Sequence, residues 1–242
     1  MRKLLSLLIV ALGVSLLSGC GIIDYFYLPA PEDTAQELFE SANDHMAEKD
    51  YVGAVQRYDK LREAYPFSPY VVDAELAIGD AYFLDGEYEA AVEAYKDFES
   101  LHPRHKAVQY VLYQIGNSRY KAFTSIDRAT NDLQEGWQYL DRLRQMYPGG
   151  EYDAPAADLM HKMRKLMAEH ELYIADVFWH MKRYGPAWRR YSYVADNFKD
   201  VPETARHAHQ KSVSAYHEYG REQAKLVREQ REGTWKRWFR WL

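Results

Sequence analysis

Small and aromatic residues recur along this chain at a fixed spacing of 37 positions. The matched pairs are Ala42 and Gly79, Tyr51 and Tyr88, Ala54 and Ala91, Tyr58 and Tyr95, Leu61 and Phe98, and Pro66 and Pro103. Six matches at one offset indicate a repeat. Within each copy, the order of small residues, tyrosines and proline predicts two amphipathic helices joined by a short turn.

The second copy shows the pattern most clearly, with helices predicted at about 72 to 84 and 87 to 101. Gly79 and Ala91 are small enough to let the two helices approach closely, and Gly86 follows Asp85 in the turn. Pro103 ends the second helix. The unit resembles a tetratricopeptide repeat. Because one hairpin cannot bury its apolar face alone, we expect an all-α solenoid of about four to five stacked repeats.

The same register divides the rest of the chain. Residues 34–150 are predicted to hold repeats 1 to 3, with the helices of repeat 1 at about 34–48 and 51–64. The residues Tyr65, Pro66, Phe67, Pro69 and Tyr70 form a predicted non-helical elbow between repeats 1 and 2, because each proline disfavours helix at the residue before it. In repeat 3, Gly116 keeps the register but the second helix is 8 residues late. This favours either a long loop around 124–134 or an extension of both helices.

Residues 151–232 are predicted to hold repeats 4 and 5. One long helix is expected from Pro155 to about Lys182, with Asp153 as its cap, and another helical stretch over 203–230. Residues 233–242 form a Trp-rich tail. In a helix, Trp235, Trp238, Phe239 and Leu242 would share one face and Lys236, Arg237 and Arg240 the other. Such a segment suits the phospholipid interface, a lid on the last repeat, or a partner helix.

The first 20 residues have the features of an exported lipoprotein. A basic start at Arg2 and Lys3 precedes an apolar run that is too short to span a bilayer. The run ends in Leu17-Ser18-Gly19-Cys20, which resembles a bacterial lipobox. We therefore expect residues 1–19 to be a signal peptide, Cys20 to be lipidated and residues 20–33 to be a tether. The alternative is a short anchor helix with an incidental cysteine.

Charge is distributed unevenly along the chain. Residues 20–101 carry 5 Lys and Arg against 19 Asp and Glu, whereas residues 102–242 carry 24 against 17. The balance is therefore −14 in the first part and +7 in the second, and the two halves should face different partners. The overall excess of negative charge argues against nucleic-acid binding.

The sequence carries no signature of catalysis. The nine histidines lack the cysteine partners or the H-E-x-x-H spacing of a zinc site, and there is no P-loop, G-x-G-x-x-G or G-x-S-x-G motif. We therefore expect no enzyme activity, no metal and no cofactor apart from the covalent lipid on Cys20.

Several stretches resemble the BamD family of outer-membrane lipoproteins, in the same order along the chain. They are Tyr65-Pro66-Phe67-Ser68-Pro69-Tyr70, His102-Pro103, Gln109-Tyr110-Val111-Leu112-Tyr113 and the run from Leu166 to Ala175. The resemblance implies a lipid-anchored subunit of the β-barrel assembly (BAM) complex on the periplasmic face of the outer membrane. Its implied partners are a BamA-like β-barrel subunit, other BAM lipoproteins and the C-terminal segments of unfolded outer-membrane proteins. Alternatives are a secretin or pilus pilot lipoprotein and a scaffold for a cell-wall enzyme.

The register also selects candidate binding residues. On the first helices, nine side chains should point away from the hairpin contact and line a peptide groove, unless they serve as packing between repeats. They are Phe39, Asn43 and Met46, then Leu76, Asp80 and Phe83, then Tyr113, Asn117 and Tyr120. In the basic half, Lys182, Arg183, Arg189 and Arg190 are the candidates for docking the barrel subunit.

Overall fold

A computed structural model describes residues 33–232 of the chain. This part consists of helices joined by turns and short loops, without strand. The helices are α1 Ala35–Ala47, α2 Tyr51–Ala64, α3 Val71–Asp85, α4 Tyr88–Leu101, α5 Val108–Ala122, α6 Asn131–Met146, α7 Asp153–His180, α8 Tyr184–Asn197 and α9 Pro202–Glu232. None of them is both long enough and apolar enough to cross a membrane. The predicted all-α fold is confirmed.

The helices pack as consecutive antiparallel hairpins, each against the next. Buried side chains of the described residues fill the seams between hairpins. They include Leu38, Tyr58, Leu61 and Ile78 at the first seam, Val92, Phe98, Val111 and Ile115 at the second, Leu140, Leu143 and Met163 further along, and Ala187 and Ala215 near the end. The periodic small and aromatic residues of the sequence are thus the residues of the core.

Between Ala64 and Val71 the chain forms a bend without helix. The amide of Ser68 donates to the carbonyl of Tyr65 at 2.9 Å, and the Tyr70 ring stacks on Phe39 of α1 at 5.2 Å between centroids. Pro66 and Pro69 are exposed. Neighbouring hairpins are therefore joined here by a bend that is fixed by both backbone and side-chain contacts.

The third hairpin has the longer connection, because α5 ends at Ala122 and α6 begins at Asn131. His170 of α7 holds this loop through its Nδ1, 2.6 Å from the carbonyl oxygen of Ile126. Asp153 does not cap α7 as expected, because the residue at the cap position is Tyr152. The Asp153 carboxylate instead accepts from the Gly149 amide at 2.8 Å and from Arg144 at 2.7 Å, which closes the preceding turn.

The helical stretch predicted over 203–230 is one helix of 31 residues, α9, and residues 33–232 hold no second helix after it that would complete a fifth repeat. The predicted signal peptide, Cys20 and almost all of the tether lie outside the described residues, as does the Trp-rich tail from residue 233.

Candidate binding surfaces

A tyrosine of the second helix donates its hydroxyl to an amide or carboxylate of the first helix in three hairpins. The donor follows the acceptor by 15 residues each time. The pairs are Tyr58 with Asn43, Tyr95 with Asp80, and Tyr191 with Asp176. All three tyrosines are buried, and a buried hydroxyl needs a partner. Burial raises the pKa of Tyr58 to about 12, so that its hydroxyl stays a donor.

Around Asp80, this pair extends into a chain of hydrogen bonds that we call the Asp80 network. Tyr95 and Tyr110 both donate to Oδ1 of Asp80 at 2.6 Å. Gln114 donates to the Tyr110 hydroxyl at 2.8 Å, and Asn117 donates to Oε1 of Gln114 at 3.1 Å. Asp80 lies on α3, whereas Tyr110, Gln114 and Asn117 lie on α5. The network therefore joins the first helices of repeats 2 and 3 by polar groups.

Burial sets the protonation of this network. It raises the pKa of the Asp80 carboxyl, and the two tyrosine hydroxyls only partly oppose the shift because they stabilise the carboxylate. Burial next to Asp80 also raises the pKa of Tyr95 and of Tyr110, so both hydroxyls remain donors at neutral pH.

The aromatic residues predicted for the groove are half-buried, because one side of each packs on a neighbour. Phe83 meets Tyr88 edge-on at 5.6 Å, and Tyr113 lies 5.4 Å from Tyr152. The remaining apolar members, Phe39, Met46, Leu76 and Tyr120, also pack against the core and stay partly accessible. These side chains therefore pack in the contacts between helices and remain partly exposed to solvent.

The structure brings Asp80 and Asn117 together in one network, with Tyr113 on the same helix as Asn117. Asn43 lies in repeat 1, where it is exposed and accepts from Tyr58. Two members of the network, Tyr110 and Gln114, were missed by sequence reasoning. The residues 37 positions earlier are Asp73 and Ala77, so the repeat register contains no signal for them.

The basic residues of repeat 4 surround a concavity of about 610 Å³ between α7 and α8. Arg183, Arg189 and Arg190 line it, together with Glu171, Phe178, Pro186 and Tyr193. Lys182 is not part of the lining. It occupies the turn before α8 with a positive φ of 58°. Three of the four predicted docking residues therefore meet at one place.

Within this concavity, the arginines differ in their partners. Arg190 pairs with Glu171 of α7, and the Arg183 guanidinium lies 5.3 Å from the centre of the Phe178 ring. Among the described residues, neither Arg183 nor Arg189 has a carboxylate within ion-pair distance. The surface thus offers two positive charges to an acidic partner. Residues 33–232 contain no cluster of three or more His, Cys, Asp or Glu side chains that could hold a metal ion.

Comparison with known proteins decides the family. A family model described as YfiO, outer membrane lipoprotein, matches residues 31–231. The chain belongs to the YfiO family. Among curated relatives, the outer membrane protein assembly factor BamD of Neisseria meningitidis serogroup A is 29% identical over an alignment of 196 residues that covers 76% of this chain and 72% of the relative.

A second relative comes from Vibrio cholerae serotype O1 and is also named outer membrane protein assembly factor BamD. It is 24% identical over 220 residues, covering 86% of this chain and 89% of the relative. Among solved structures, the chain is similar to the complex of the TPR2AB domain of yeast Sti1 with pHSP90. The TM-score is 0.46 at 17% identity, over 76% of this chain and 70% of that one.

Proposed function

We propose that this protein is a lipid-anchored scaffold for the assembly of β-barrel proteins in the outer membrane, and that it acts by holding polypeptides. Its membership of the YfiO family and its relatives named as assembly factors support this role. The hairpin fold supports it too, because solenoids offer long surfaces to extended ligands.

The Asp80 network is the observation that carries the proposal for the N-terminal half. Its amides on α5 have donors and acceptors beyond those used inside the network, and Tyr113 and Tyr120 lie on the same helix. Amides satisfy the backbone of an extended segment, while half-exposed rings take its apolar side chains. The ligand we assign is the C-terminal aromatic segment of an unfolded outer-membrane protein.

Site-specific photocrosslinking tests this assignment. A benzophenone amino acid replaces Tyr113 in one chain and Ser100, an exposed residue of α4, in a control chain. A labelled C-terminal peptide of a β-barrel protein should crosslink at position 113 and not at position 100. Equal yields at the two positions would contradict the groove assignment.

The basic concavity carries the proposal for the C-terminal half, where we assign the docking of a BamA-like barrel subunit. Its partner should present carboxylates to Arg183 and Arg189, whereas Arg190 is already engaged by Glu171. Other BAM lipoproteins are expected to join the same complex through further surfaces.

Charge reversal tests this docking. Arg183→Glu with Arg189→Glu should weaken binding of the barrel subunit's periplasmic domains by roughly tenfold at low salt, and the difference should shrink at high salt. Lys199→Glu, an exposed change in the turn before α9, is the matched control. An affinity that is unchanged by the double reversal and by the salt concentration would contradict the proposal.

Anchoring through acylated Cys20, on the periplasmic side of the outer membrane, completes the proposed role. Two or more acyl chains are needed for stable attachment, as expected for a lipobox cysteine. Labelled palmitate should enter the intact chain and be absent from Cys20→Ser. Equal labelling of both chains would exclude Cys20 as the site.

A further inference from the structure

Three bends connect the second helix of one hairpin to the first helix of the next, and the antiparallel packing places all three at the same end of the hairpins. Each bend is closed by two consecutive backbone hydrogen bonds of 2.9 to 3.2 Å. In the first bend, the amides of Ser68 and Val71 donate to the carbonyls of Tyr65 and Ser68. In the second, the amides of His105 and Val108 donate to the carbonyls of His102 and His105. In the third, the amides of Gly150 and Asp153 donate to the carbonyls of Tyr147 and Gly150. The three bends therefore have the same pattern of backbone hydrogen bonds.

The residue at the tip of the bend is not shared. Phe67 occupies it in the first bend, Arg104 in the second and Gly149 in the third. Since an arginine and a glycine support the same hydrogen bonds, the fold does not require the phenylalanine ring. Phe67 is nevertheless 99% exposed, which leaves a large apolar side chain in water. One exposed ring alone does not indicate a binding site, but this one is free to contact a membrane or a second molecule if its support and surroundings favour such a contact.

Phe67 stands on a rigid support. Pro66 and Pro69 restrict the backbone on either side, and the Tyr70 ring stacks on Phe39 with an angle of 23° between the planes. The Tyr70 amide also donates to the Ser68 hydroxyl at 3.3 Å. Binding through Phe67 therefore does not have to order the bend first, which removes a cost that a mobile loop would meet.

The N-terminal chain enters beside this bend. The Tyr65 hydroxyl donates to the carbonyl of Asp33 at 2.8 Å, and Lys60 pairs with the Asp33 carboxylate at 2.7 Å. This pairing lowers the pKa of Asp33. The 12 residues between Cys20 and Asp33 would span about 40 Å when extended. An acylated Cys20 would therefore keep this end of the hairpins within about 40 Å of the membrane.

The second bend adds positive charge at the same end, since Arg104 and Lys106 are both exposed. Apolar rings next to cations are the combination that binds the surface of a bilayer with anionic headgroups. We propose that the end of the solenoid formed by these bends rests on a phospholipid surface, with the Phe67 ring in the interface. This inference goes beyond the scaffold function and adds a second membrane contact to the proposed anchor.

The test places a fluorescent reporter at the bend. A chain lacking residues 1–19, with Cys20→Ser and an N-terminal histidine tag, is recruited to vesicles of phosphatidylethanolamine, phosphatidylglycerol and a nickel-chelating lipid. Because Cys20 is the only native cysteine, Phe67→Cys provides a single thiol for the dye NBD. Val52→Cys, exposed at the start of α2 and thus at the opposite end, is the control position. The tag replaces the acyl anchor, so the result does not depend on lipidation of Cys20.

We expect NBD at position 67 to brighten about twofold with a blue shift on vesicles, and to be quenched by spin-labelled lipid, while position 52 stays unchanged. Without the tag, Phe67→Ala should lower vesicle binding by roughly tenfold relative to Val52→Ala. Unchanged emission at position 67 on recruited protein overturns the proposal. The proposal is also overturned if NBD emission at position 67 changes when a β-barrel peptide is added and not when vesicles are added, because the bend would then contact polypeptide.

Discussion

Two glycines lie where paired helices cross, and a large side chain of the other helix leaves no room for a Cβ atom at either position. A Cβ atom added at Gly79 would lie 2.6 Å from a ring carbon of Tyr95, and one added at Gly116 would lie 2.5 Å from Cγ of Leu140. The Tyr95 ring has little freedom to move, because its hydroxyl is bonded to Asp80. The small residues in the repeat pattern therefore make room for a large side chain of the second helix.

A pair of glycine substitutions tests this explanation. Gly79→Ala should lower the free energy of unfolding by about 1 to 3 kcal/mol, because the methyl group overlaps the Tyr95 ring. Gly220→Ala should raise it by about 1 kcal/mol, because an added Cβ meets nothing within 4 Å and alanine favours helix. Urea unfolding of the two variants measures both changes. Equal effects at the two positions would refute the packing argument.

The partly buried carboxyl of Asp80 predicts a pH dependence of stability. Its folded-state pKa is raised, so between the unfolded-state value near 3.8 and the raised value the folded protein holds more protons than the unfolded chain. Its contribution to stability therefore falls as pH rises through this window. Asp80→Asn lacks this titration and keeps an oxygen for the two tyrosines.

Stability curves of both chains check this prediction. The free energy of unfolding of the native chain, minus that of Asp80→Asn, should be smaller at pH 7 than at pH 4. Tyr95→Phe serves as a control, because it removes one hydroxyl and keeps the carboxyl. A difference that grows with pH would show that the carboxylate is stabilised by its surroundings.

At the scale of elements, the short turns inside the first, second and fourth hairpins share one backbone feature. The residue two positions before the second helix has a positive φ at Lys49, Gly86 and Lys182, with values of 63°, 85° and 58°. Only glycine adopts this conformation without steric cost, so the two lysines carry strain that Gly86 avoids.

Exchanging these residue types should therefore have opposite effects. Lys49→Gly should raise the free energy of unfolding by up to about 1 kcal/mol, and Gly86→Ala should lower it by about 1 kcal/mol. Thermal melts followed by circular dichroism measure both. A loss of stability in Lys49→Gly would mean that the lysine side chain contributes more than its backbone strain costs.

Sequence alone predicted the elements well where signals are local. The helix predicted at 51–64 is α2, because Asp50 and Pro66 mark its limits; Asp50 accepts from the Gly53 amide at 3.0 Å. Local reasoning failed at Asp153, whose carboxylate bonds backwards to Arg144 and Gly149. A capping residue and a turn residue look alike in sequence, and only the three-dimensional contacts distinguish them.

At the scale of the whole molecule, repeat register placed the first helices but not the partners of their side chains. Tyr110 reaches Asp80 across 30 positions, through the stacking of one hairpin on the next. The geometry of that stacking cannot be inferred from a single repeat, so the register selected Asp80 and Asn117 but gave no signal for Tyr110 and Gln114, which connect them. The grouping of Arg183, Arg189 and Arg190 was easier to predict, because they are close in sequence and lie at the start of α8 and on its first turns, although the concavity that they line was not predicted.

The central claim is that two separate surfaces of one solenoid hold two different polypeptides. Quantitative affinity purification from detergent-solubilised membranes tests it most directly, with Asn117→Ala combined with Gln114→Ala in one chain and Arg183→Glu combined with Arg189→Glu in another. We predict that the amide variant loses unfolded β-barrel proteins and keeps the barrel subunit, and that the charge variant does the reverse. Parallel loss of both partners in either variant, or recovery of a secretin in their place, would contradict the account.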